Sequence, residues 1–216
     1  MDKQISKRTL YRLPIYLSLL QEKLDEGVEF ISATTIANLL ELNHVQVRND
    51  LSCASSAGRP KVGYKTKTLI KDLENFLGYN NTKDAVIVGA GDLGKALLGY
   101  DGFKSYGLNI VAGFDVNEEI CDSYIKGKPI FHLDRMPDLA KKMHIHIGII
   151  TTPAEVAQSV CDMFVDAGVR AVWNFAPTSL VAPKNVIVQN ENMAAGLAFL
   201  SNKLNRVMRL EDEEGL

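Results

Sequence analysis

A glycine-rich turn between an apolar strand and a helix constrains this chain more than any other feature. Residues 84–88 form a short apolar run, as in a buried parallel strand. The run leads directly into a turn and helix start made of Gly89, Ala90, Gly91, Asp92, Leu93 and Gly94. A second apolar strand, 108–114, ends at Asp115, 21 residues after Gly94. Glycines at this spacing let the backbone approach a pyrophosphate at a helix N-terminus, and the later carboxylate binds ribose hydroxyls. The pattern therefore predicts a dinucleotide site.

The rest of the chain after residue 84 alternates short apolar runs with helical segments. Strands are predicted at 129–132, 144–151, 171–175 and 186–189, and helices at 95–100, 134–143 and 154–167. This order predicts an α/β domain with a Rossmann-type, doubly wound parallel sheet. Ligands bind such sheets at the carboxyl ends of the strands. The candidates for the nicotinamide end of the site are Thr151, Thr152, Pro153, Asn174, Phe175, Ala176 and Pro177.

The residue at the end of the second strand predicts which dinucleotide binds. Asp115 is followed by Val116 and Asn117, with no arginine beside it to hold a 2′-phosphate. We therefore expect NAD(H) rather than its 2′-phosphorylated form. Two alternatives stay open at this point: a Rossmann domain that has lost its ligand, and one that binds another nucleotide such as coenzyme A.

The first 80 residues carry a different, helical pattern. Leucines recur at spacings of three and four, which predicts one face of a first helix: Leu10, Leu13, Leu17, Leu20 and Leu24. Pro14 lies inside this stripe, so the helix is predicted to kink or restart there. A second helix over 32–41 and a third over 44–55, capped by Asn43, form a helix-turn-helix. The Gly- and Pro-rich segment 58–65, which we call the wing, is predicted to be a small β-hairpin. These elements predict a winged helix.

A basic cluster coincides with the third helix and the wing. Between residues 45 and 71 a single acid, Asp50, faces six basic residues, in a protein of net charge −2: Arg48, Arg59, Lys61, Lys65, Lys67 and Lys71. Such a cluster is where a polyanion binds. The predicted DNA contacts are base edges for Gln46, Arg48 and Asn49, joined by Ser52, and phosphates or the minor groove for Arg59, Lys61 and Lys65. The alternative is a three-helix interaction module whose charges only face solvent.

Composition and spacing exclude several other classes of protein. The three cysteines are far apart and odd in number, and none forms a CxxC pair, which favours a reducing cytoplasm over a disulfide framework or a zinc site. No metal ligand set is predicted. No stretch approaches about 18 apolar residues, so we expect no membrane span. The charged start of the chain argues against a signal peptide.

Turn residues and a final helix suggest how the chain is divided. The polar stretch 78–83 predicts a boundary between a DNA-binding domain, 1–80, and a NAD(H)-binding domain, 81–190. The remaining segment, 191–216, is predicted to hold an amphipathic helix over about 193–210. This helix has no core of its own to cover, which predicts packing on a partner subunit.

The order of these parts, and several short motifs, resemble the Rex family of redox-sensing transcriptional repressors over about residues 5–206. The matching motifs are Arg-Leu-Pro-Ile-Tyr-Leu at 12–17, Val-Arg-Asn-Asp-Leu-Ser at 47–52, Val-Gly-Tyr at 62–64, Val-Ile-Val-Gly-Ala-Gly at 86–91, Phe-Asp at 114–115, Thr-Pro-Ala-Glu at 152–155 and Asn-Phe-Ala-Pro at 174–177.

The resemblance implies a non-enzymatic homodimer that binds a palindromic operator when NADH is scarce and releases it when NADH binds. It also implies that the terminal helix is exchanged between subunits, and that the positions of Arg12, Tyr100 and Asn192 form an allosteric switch. The rival functions are a small NAD-dependent oxidoreductase and a nucleotide-binding dimer without DNA binding. Against an enzyme stand the lack of a substrate domain and of any identifiable catalytic acid–base pair.

Four departures from the family pattern are specific to this chain. Asn49 replaces a lysine in the recognition helix, and residues 52–55 read Ser-Cys-Ala-Ser where an aromatic- and glycine-bearing segment is usual. Asp92 replaces an asparagine in the phosphate loop and is expected to weaken dinucleotide binding unless it turns away. Asn192 replaces an acid just before the terminal helix, which is expected to weaken switching.

Overall fold

The computed structural model describes residues 5–81 and 83–214. The chain divides into two compact units, Met1–Asn81 and Thr82–Leu216, and each is described by itself below. No helix among the described residues is long and apolar enough to cross a membrane.

The described residues of the first unit form four helices and two very short strands. In chain order they are α1 (Lys7–Asp25), β1 (Phe30–Ile31), α2 (Ala33–Leu39), α3 (His44–Ala54), β2 (Tyr64–Lys65) and α4 (Thr66–Leu77). Polar side chains begin the first three helices. Ser6, Ser32 and Asn43 each accept a hydrogen bond from a backbone amide in the first turn of α1, α2 and α3, respectively. The predicted helix-turn-helix is α2 and α3.

The core of the first unit corrects the predicted leucine stripe. The buried face of α1 contains Leu13, Leu17 and Leu20, whereas Leu10 is 43% exposed and Leu24 is 37% exposed. Tyr16 is fully buried on this face and shifts its centre, so that Leu10 falls at the edge, while Leu24 lies in the last turn. Of the two alternatives predicted at Pro14, a kink or a restart, the restart is wrong, because α1 is one helix through that residue.

The wing is a closed turn rather than a two-stranded hairpin. A single bridge joins Arg59 to Gly63, with the Arg59 amide donating to the Gly63 carbonyl at 2.8 Å. The strand that follows, β2, pairs instead with β1 in antiparallel register. Gly63 has a φ of +86°, and a Cβ there would lie within contact of the Ile31 backbone. Glycine is therefore required where the wing crosses β1.

The second unit is a seven-stranded sheet with helices on both faces. Its strands are β3 (Lys83–Val88), β4 (Leu108–Asp115), β5 (Tyr124–Ile125), β6 (Lys128–His132), β7 (Ile147–Ile150), β8 (Ala171–Asn174) and β9 (Ile187–Asn190). Its helices are α5 (Asp92–Gly99), the 3₁₀ helix Asp101–Tyr106, α6 (Met136–Lys142), α7 (Ala154–Asp166) and α8 (Met193–Glu214), with a 3₁₀ turn at Leu133–Arg135.

The spatial order of the strands is β5-β6-β4-β3-β7-β8-β9. All neighbours from β6 to β9 are parallel, and β5 adds an antiparallel edge. The order reverses between β3 and β7, which is the switch point where doubly wound sheets bind ligands. The expected Rossmann-type architecture is confirmed.

Three local predictions differ from the structure. The strand predicted at 144–151 begins only at Ile147, because His144 has a φ of +52° and belongs to a turn. Helix α5 begins at Asp92 rather than at residue 95, so half of the glycine-rich segment is helical. The β5–β6 hairpin was missed, since a two-residue strand carries no periodic signal.

Two of the leucines of α1, one buried and one exposed, provide a test of the core. Leu13→Ala should lower the free energy of unfolding by about 2–5 kcal/mol, because it leaves a cavity among fully buried side chains. Leu10→Ala, on the same helix, should change it by less than about 0.5 kcal/mol. Urea denaturation followed by far-UV circular dichroism measures both. Equal effects would contradict the observed placement of the helix face.

Candidate nucleotide-binding and DNA-binding sites

The glycine loop, residues 89–94, is shaped by three glycines with different roles. Gly89 has a φ of +97°, and a Cβ there would lie 2.9 Å from the Thr151 backbone. A Cβ on Gly94 would overlap the Gly89 carbonyl oxygen, so the start of α5 packs directly against the end of β3. Gly91 has open space where a Cβ would be, and no side chain caps α5 there. The loop is therefore closed on the protein side and open on the ligand side, as a pyrophosphate requires.

Asp115 lies at the carboxyl end of β4, beside this loop. Its Oδ2 accepts a hydrogen bond from the Ala90 amide at 2.6 Å, and its Oδ1 accepts one from the Asn117 amide at 2.9 Å. Thr151 holds the loop from the neighbouring strand, with its hydroxyl donating to the Gly89 carbonyl at 2.6 Å. The three predicted parts of the fingerprint thus meet at the switch point.

A cavity of about 360 Å³ opens between the glycine loop and the start of α7. Its lining includes all three residues of the predicted segment Thr151–Pro153. The hydroxyl oxygen of Thr152 is buried and has no hydrogen-bond partner among the described residues. Its apolar walls are Val88, Val116, Leu133, Val156 and Val160, with Asp115 at one side. An apolar slot beside a carboxylate fits an adenine ring and its ribose. The residues present therefore fit a dinucleotide.

The loop after β8 is built around one buried amide. Asn174 is fully buried, and its Nδ2 donates to the Thr178 carbonyl at 2.7 Å and to Asn190 Oδ1 at 2.8 Å. Its Oδ1 accepts from the Ala176 amide at 3.0 Å. The Asn174 side chain thus shapes the loop. The groups that face outward here are those of Phe175 and Pro177, beside a second cavity of about 550 Å³.

Aromatic rings connect this loop with the end of α5. Tyr100 meets Phe103 edge-on at 4.9 Å between ring centroids, Phe103 meets Trp173 at 5.6 Å, and Trp173 meets Phe175 at 4.7 Å. Trp173 Nε1 also donates to Glu191 Oε1 at 2.8 Å. The row of rings lies on the sheet face that carries α5, and no pattern of neighbouring residues predicted it.

Asp92 is the first residue of α5 and is exposed. A carboxylate in the first turn interacts favourably with the helix dipole, but it occupies the position at which a pyrophosphate gains the same interaction. Leu93, the next residue, is half-buried, and Ala90 is fully buried. Asp92 is thus the one anionic side chain of the glycine loop.

The predicted DNA-reading residues lie on the outer face of α3. Arg48, Asn49 and Ser52 are exposed and Gln46 is half-buried, whereas Val47 and Leu51 belong to the core. In the wing, Arg59, Lys61 and Lys65 are all exposed. Arg59 and Lys65 also line a cavity of about 320 Å³ with Thr68, where two cations can hold one phosphate.

The inner face of α3 carries a buried carboxylate, Asp50, which the sequence showed only as the single acid among six basic residues. Asp50 accepts hydrogen bonds from Thr9, Arg12 and Tyr16, all on α1. Burial works to raise the pKa of Asp50, but the hydrogen bonds from these three residues outweigh it, and the pKa is lowered. Burial and the neighbouring Asp50 raise the pKa of Tyr16 to about 12. A carboxylate among donors of this kind stays ionised.

The three predicted switch residues each have partners within their own unit. Arg12 is engaged by Asp50 in the first unit. In the second unit, Tyr100 is 52% exposed and its ring contacts that of Phe103. At the start of α8, Asn192 Oδ1 accepts a hydrogen bond from the Ala195 amide at 3.0 Å. Their joint role stays a prediction.

The described residues contain no cluster that could hold a metal ion.

Comparisons with known proteins agree with both halves of this description. A family model described as CoA binding domain matches residues 80–178, and one described as putative DNA-binding protein N-terminus matches residues 4–52. The redox-sensing transcriptional repressor Rex of Porphyromonas gingivalis is 40% identical over 204 residues, which is 94% of each chain. That of Treponema denticola is 42% identical over 90% of this chain and 92% of its own.

Solved structures extend the similarity to the whole fold. The structure of RSP in complex with β-NAD⁺ and operator DNA has a TM-score of 0.90 and 30% identity, and covers 99% of this chain and 98% of its own. The structure of RSP with β-NADH has a TM-score of 0.88 at the same identity, covering 97% of this chain and 99% of its own. RSP is itself described as a Rex-family repressor. The chain therefore belongs to the Rex family of redox-sensing transcriptional repressors.

Proposed function

We propose that this protein represses transcription in response to the NADH/NAD⁺ ratio. Its first unit binds operator DNA, and binding of NADH to its second unit releases that DNA. The observation that carries the proposal is the presence, in one chain, of an exposed recognition helix and a glycine loop open to a dinucleotide. The relative RSP has been solved both with β-NAD⁺ and operator DNA and with β-NADH. The relatives are named as repressors and not as enzymes.

The cofactor is assigned to the switch point of the sheet. The amides at the start of α5 and the open side of Gly91 hold the pyrophosphate, and the Asp115 carboxylate, held at the loop by the Ala90 amide, binds the adenine ribose. The loop 175–177 flanks the nicotinamide half, whereas Thr151–Pro153, predicted to lie there, line the cavity beside Asp115 that takes the adenine and its ribose. The cofactor supplies a ring whose charge differs between NAD⁺ and NADH, and the protein responds to that difference.

We also propose a homodimer, formed through α8 and the sheet face beside it. The apolar side chains of α8 are half or more exposed, namely Leu197, Phe199, Leu200, Leu204, Val207 and Met208. No described helix connects β8 to β9, and Ile187 on β9 is 71% exposed. A second copy covers both surfaces by exchange of α8. Two recognition helices then match a palindromic operator, in the cytoplasm where the chromosome is read.

Cofactor choice tests the role of Asp115. NADH should bind at least about tenfold more tightly than NADPH, a difference near 1.4 kcal/mol, because the carboxylate repels a 2′-phosphate. Asp115→Asn should lower the ratio of the NADH affinity to the NADPH affinity. Asp166→Asn, which removes the same charge at the far end of α7, should not. Fluorescence titration measures all six affinities, two cofactors for each of three proteins, and equal binding of NADH and NADPH to the wild type would refute the assignment.

DNA binding separates base reading from phosphate binding. Arg48→Ala should cost about 1–3 kcal/mol of operator affinity and relax the preference at one position. Lys61→Ala should weaken all sequences alike and lower the slope of affinity against salt by about one. Gel shifts over a salt series measure both. If neither variant changes binding, the basic cluster is only a solvated surface.

The start of α8 tests the switch. Asn192 is a neutral amide, and it lacks the charge-assisted hydrogen bonding that an acid offers to an arginine. Asn192→Asp should therefore increase the factor by which saturating NADH lowers operator affinity. The control is Asn202→Asp, because Asn202 is an exposed residue of α8. Asn190→Asp is not used as a control because the Asn190 side chain accepts a hydrogen bond from Asn174. An NADH effect that is the same in all three proteins would remove Asn192 from the switch.

A further inference from the structure

The recognition helix α3 is fastened to α1 through one side chain. Asp50 is 4% exposed and accepts four hydrogen bonds. The donors are Thr9 Oγ1 at 3.0 Å, Arg12 Nε at 2.7 Å, Arg12 Nη2 at 2.9 Å and Tyr16 Oη at 2.8 Å. All three donor residues lie on α1, at a spacing of three and four that puts them on one face of the helix.

This network is not explained by the need to hold the two helices together. Leu13 and Leu17 on α1 and Val47 and Leu51 on α3 already belong to one apolar core. A buried ion pair loses hydration energy, and apolar side chains of similar volume often replace it without loss of stability. What apolar contacts lack is direction, because the hydrophobic effect does not depend on orientation. Four hydrogen bonds to one carboxylate fix the rotation and the axial position of α3 on α1.

Asp50 follows immediately after the residues predicted to read bases. Arg48 and Asn49 are exposed on the outer face of α3, and Asp50 anchors the opposite face. A rotation of α3 about its axis moves the ends of these side chains across the base edges, where bidentate hydrogen bonds require defined geometry. Contacts to phosphates, made by long flexible side chains, tolerate such a movement far better.

We infer that Asp50, held by Thr9, Arg12 and Tyr16, is a positioning residue that sets the sequence specificity of DNA recognition. The inference rests on the proposed function, since it presupposes that α3 reads an operator. Its signature is a loss of discrimination between operator and unrelated DNA, with general affinity for DNA retained.

An apolar replacement of the whole network tests the inference. The variant Thr9→Val, Arg12→Met, Tyr16→Phe and Asp50→Leu keeps both the volume and the net charge of the unit. The expected result is a folded protein whose ratio of operator to non-operator affinity falls at least tenfold. Its affinity for unrelated DNA, measured without NADH, should stay within about twofold of the wild type. Fluorescence anisotropy with two labelled duplexes at one salt concentration measures the ratio.

A second ion pair on α1 provides the matched control. Lys23 contacts Glu26 at 2.8 Å near the exposed end of the helix. Lys23→Met with Glu26→Leu removes one charge of each sign, as the network variant does, and should leave the ratio unchanged. A network variant that folds and discriminates as well as the wild type overturns the inference.

Single substitutions decide the question if the fourfold variant does not fold. Tyr16→Phe and Thr9→Val each remove one hydrogen bond to Asp50 with little change of volume. Each should lower the discrimination ratio about two- to fivefold, whereas Thr34→Val, which removes an exposed hydroxyl of α2, should not. Full discrimination in both single variants also overturns the inference. A wild type that binds no operator at all would instead refute the proposed function.

Discussion

The close packing of the start of α5 against the end of β3 is the constraint on which the nucleotide site depends. Gly94 has no space for a Cβ beside the Gly89 carbonyl, and Gly89 has none beside Thr151. The same carbonyl accepts the Thr151 hydroxyl, so the loop, α5 and β7 are fixed together. Because these contacts are between backbone atoms, they require glycine, and they direct the amides of α5 outward. The Asp115 carboxylate then meets the loop at the Ala90 amide, which prepares the site before any ligand enters.

Most of the second unit could be predicted from sequence because its signals are local. A few neighbouring residues are enough to indicate a buried parallel strand, a glycine turn, or an acid at a fixed distance. Together these signals predicted that Gly89–Gly94 and Asp115 follow the carboxyl ends of two strands, and the structure has them there. Short elements could not be found in this way. The β5–β6 hairpin depends on Lys126 and Gly127, both at positive φ, and His144, also at positive φ, lies in the turn that ends helix α6 and not in the expected strand. In both places a change of backbone direction overrides side-chain periodicity.

The contacts that sequence reasoning missed join residues that are distant along the chain. Asp50 looked like a minor charge in a basic region, and its partners lie 34 to 41 residues away. Asn174 looked like a ligand residue after a strand, yet its amide is occupied by the Thr178 carbonyl and by Asn190. The residues near Asp50 do not indicate its partners on α1, and those near Asn174 do not indicate Asn190, which is 16 residues away. Both arrangements use one buried polar side chain to fix an element whose exposed neighbours have the proposed binding roles, since a buried polar group with all its partners specifies a single geometry.

The rigidity of the first unit also limits how NADH can act. A ligand shifts an equilibrium only by its different affinity for two states, so DNA release needs two arrangements of the protein. Four hydrogen bonds to Asp50 and a continuous apolar core oppose a local change of α3 within its unit. In the proposed dimer the two arrangements therefore differ by rigid-body movement of whole first units. Operator half-sites are separated by one or more helical turns of about 34 Å, so a small rotation of each unit is enough to move one recognition helix out of its groove. In this proposal the polar network that sets the sequence specificity of DNA recognition also makes each first unit a rigid body, and the cofactor controls the movement of that body.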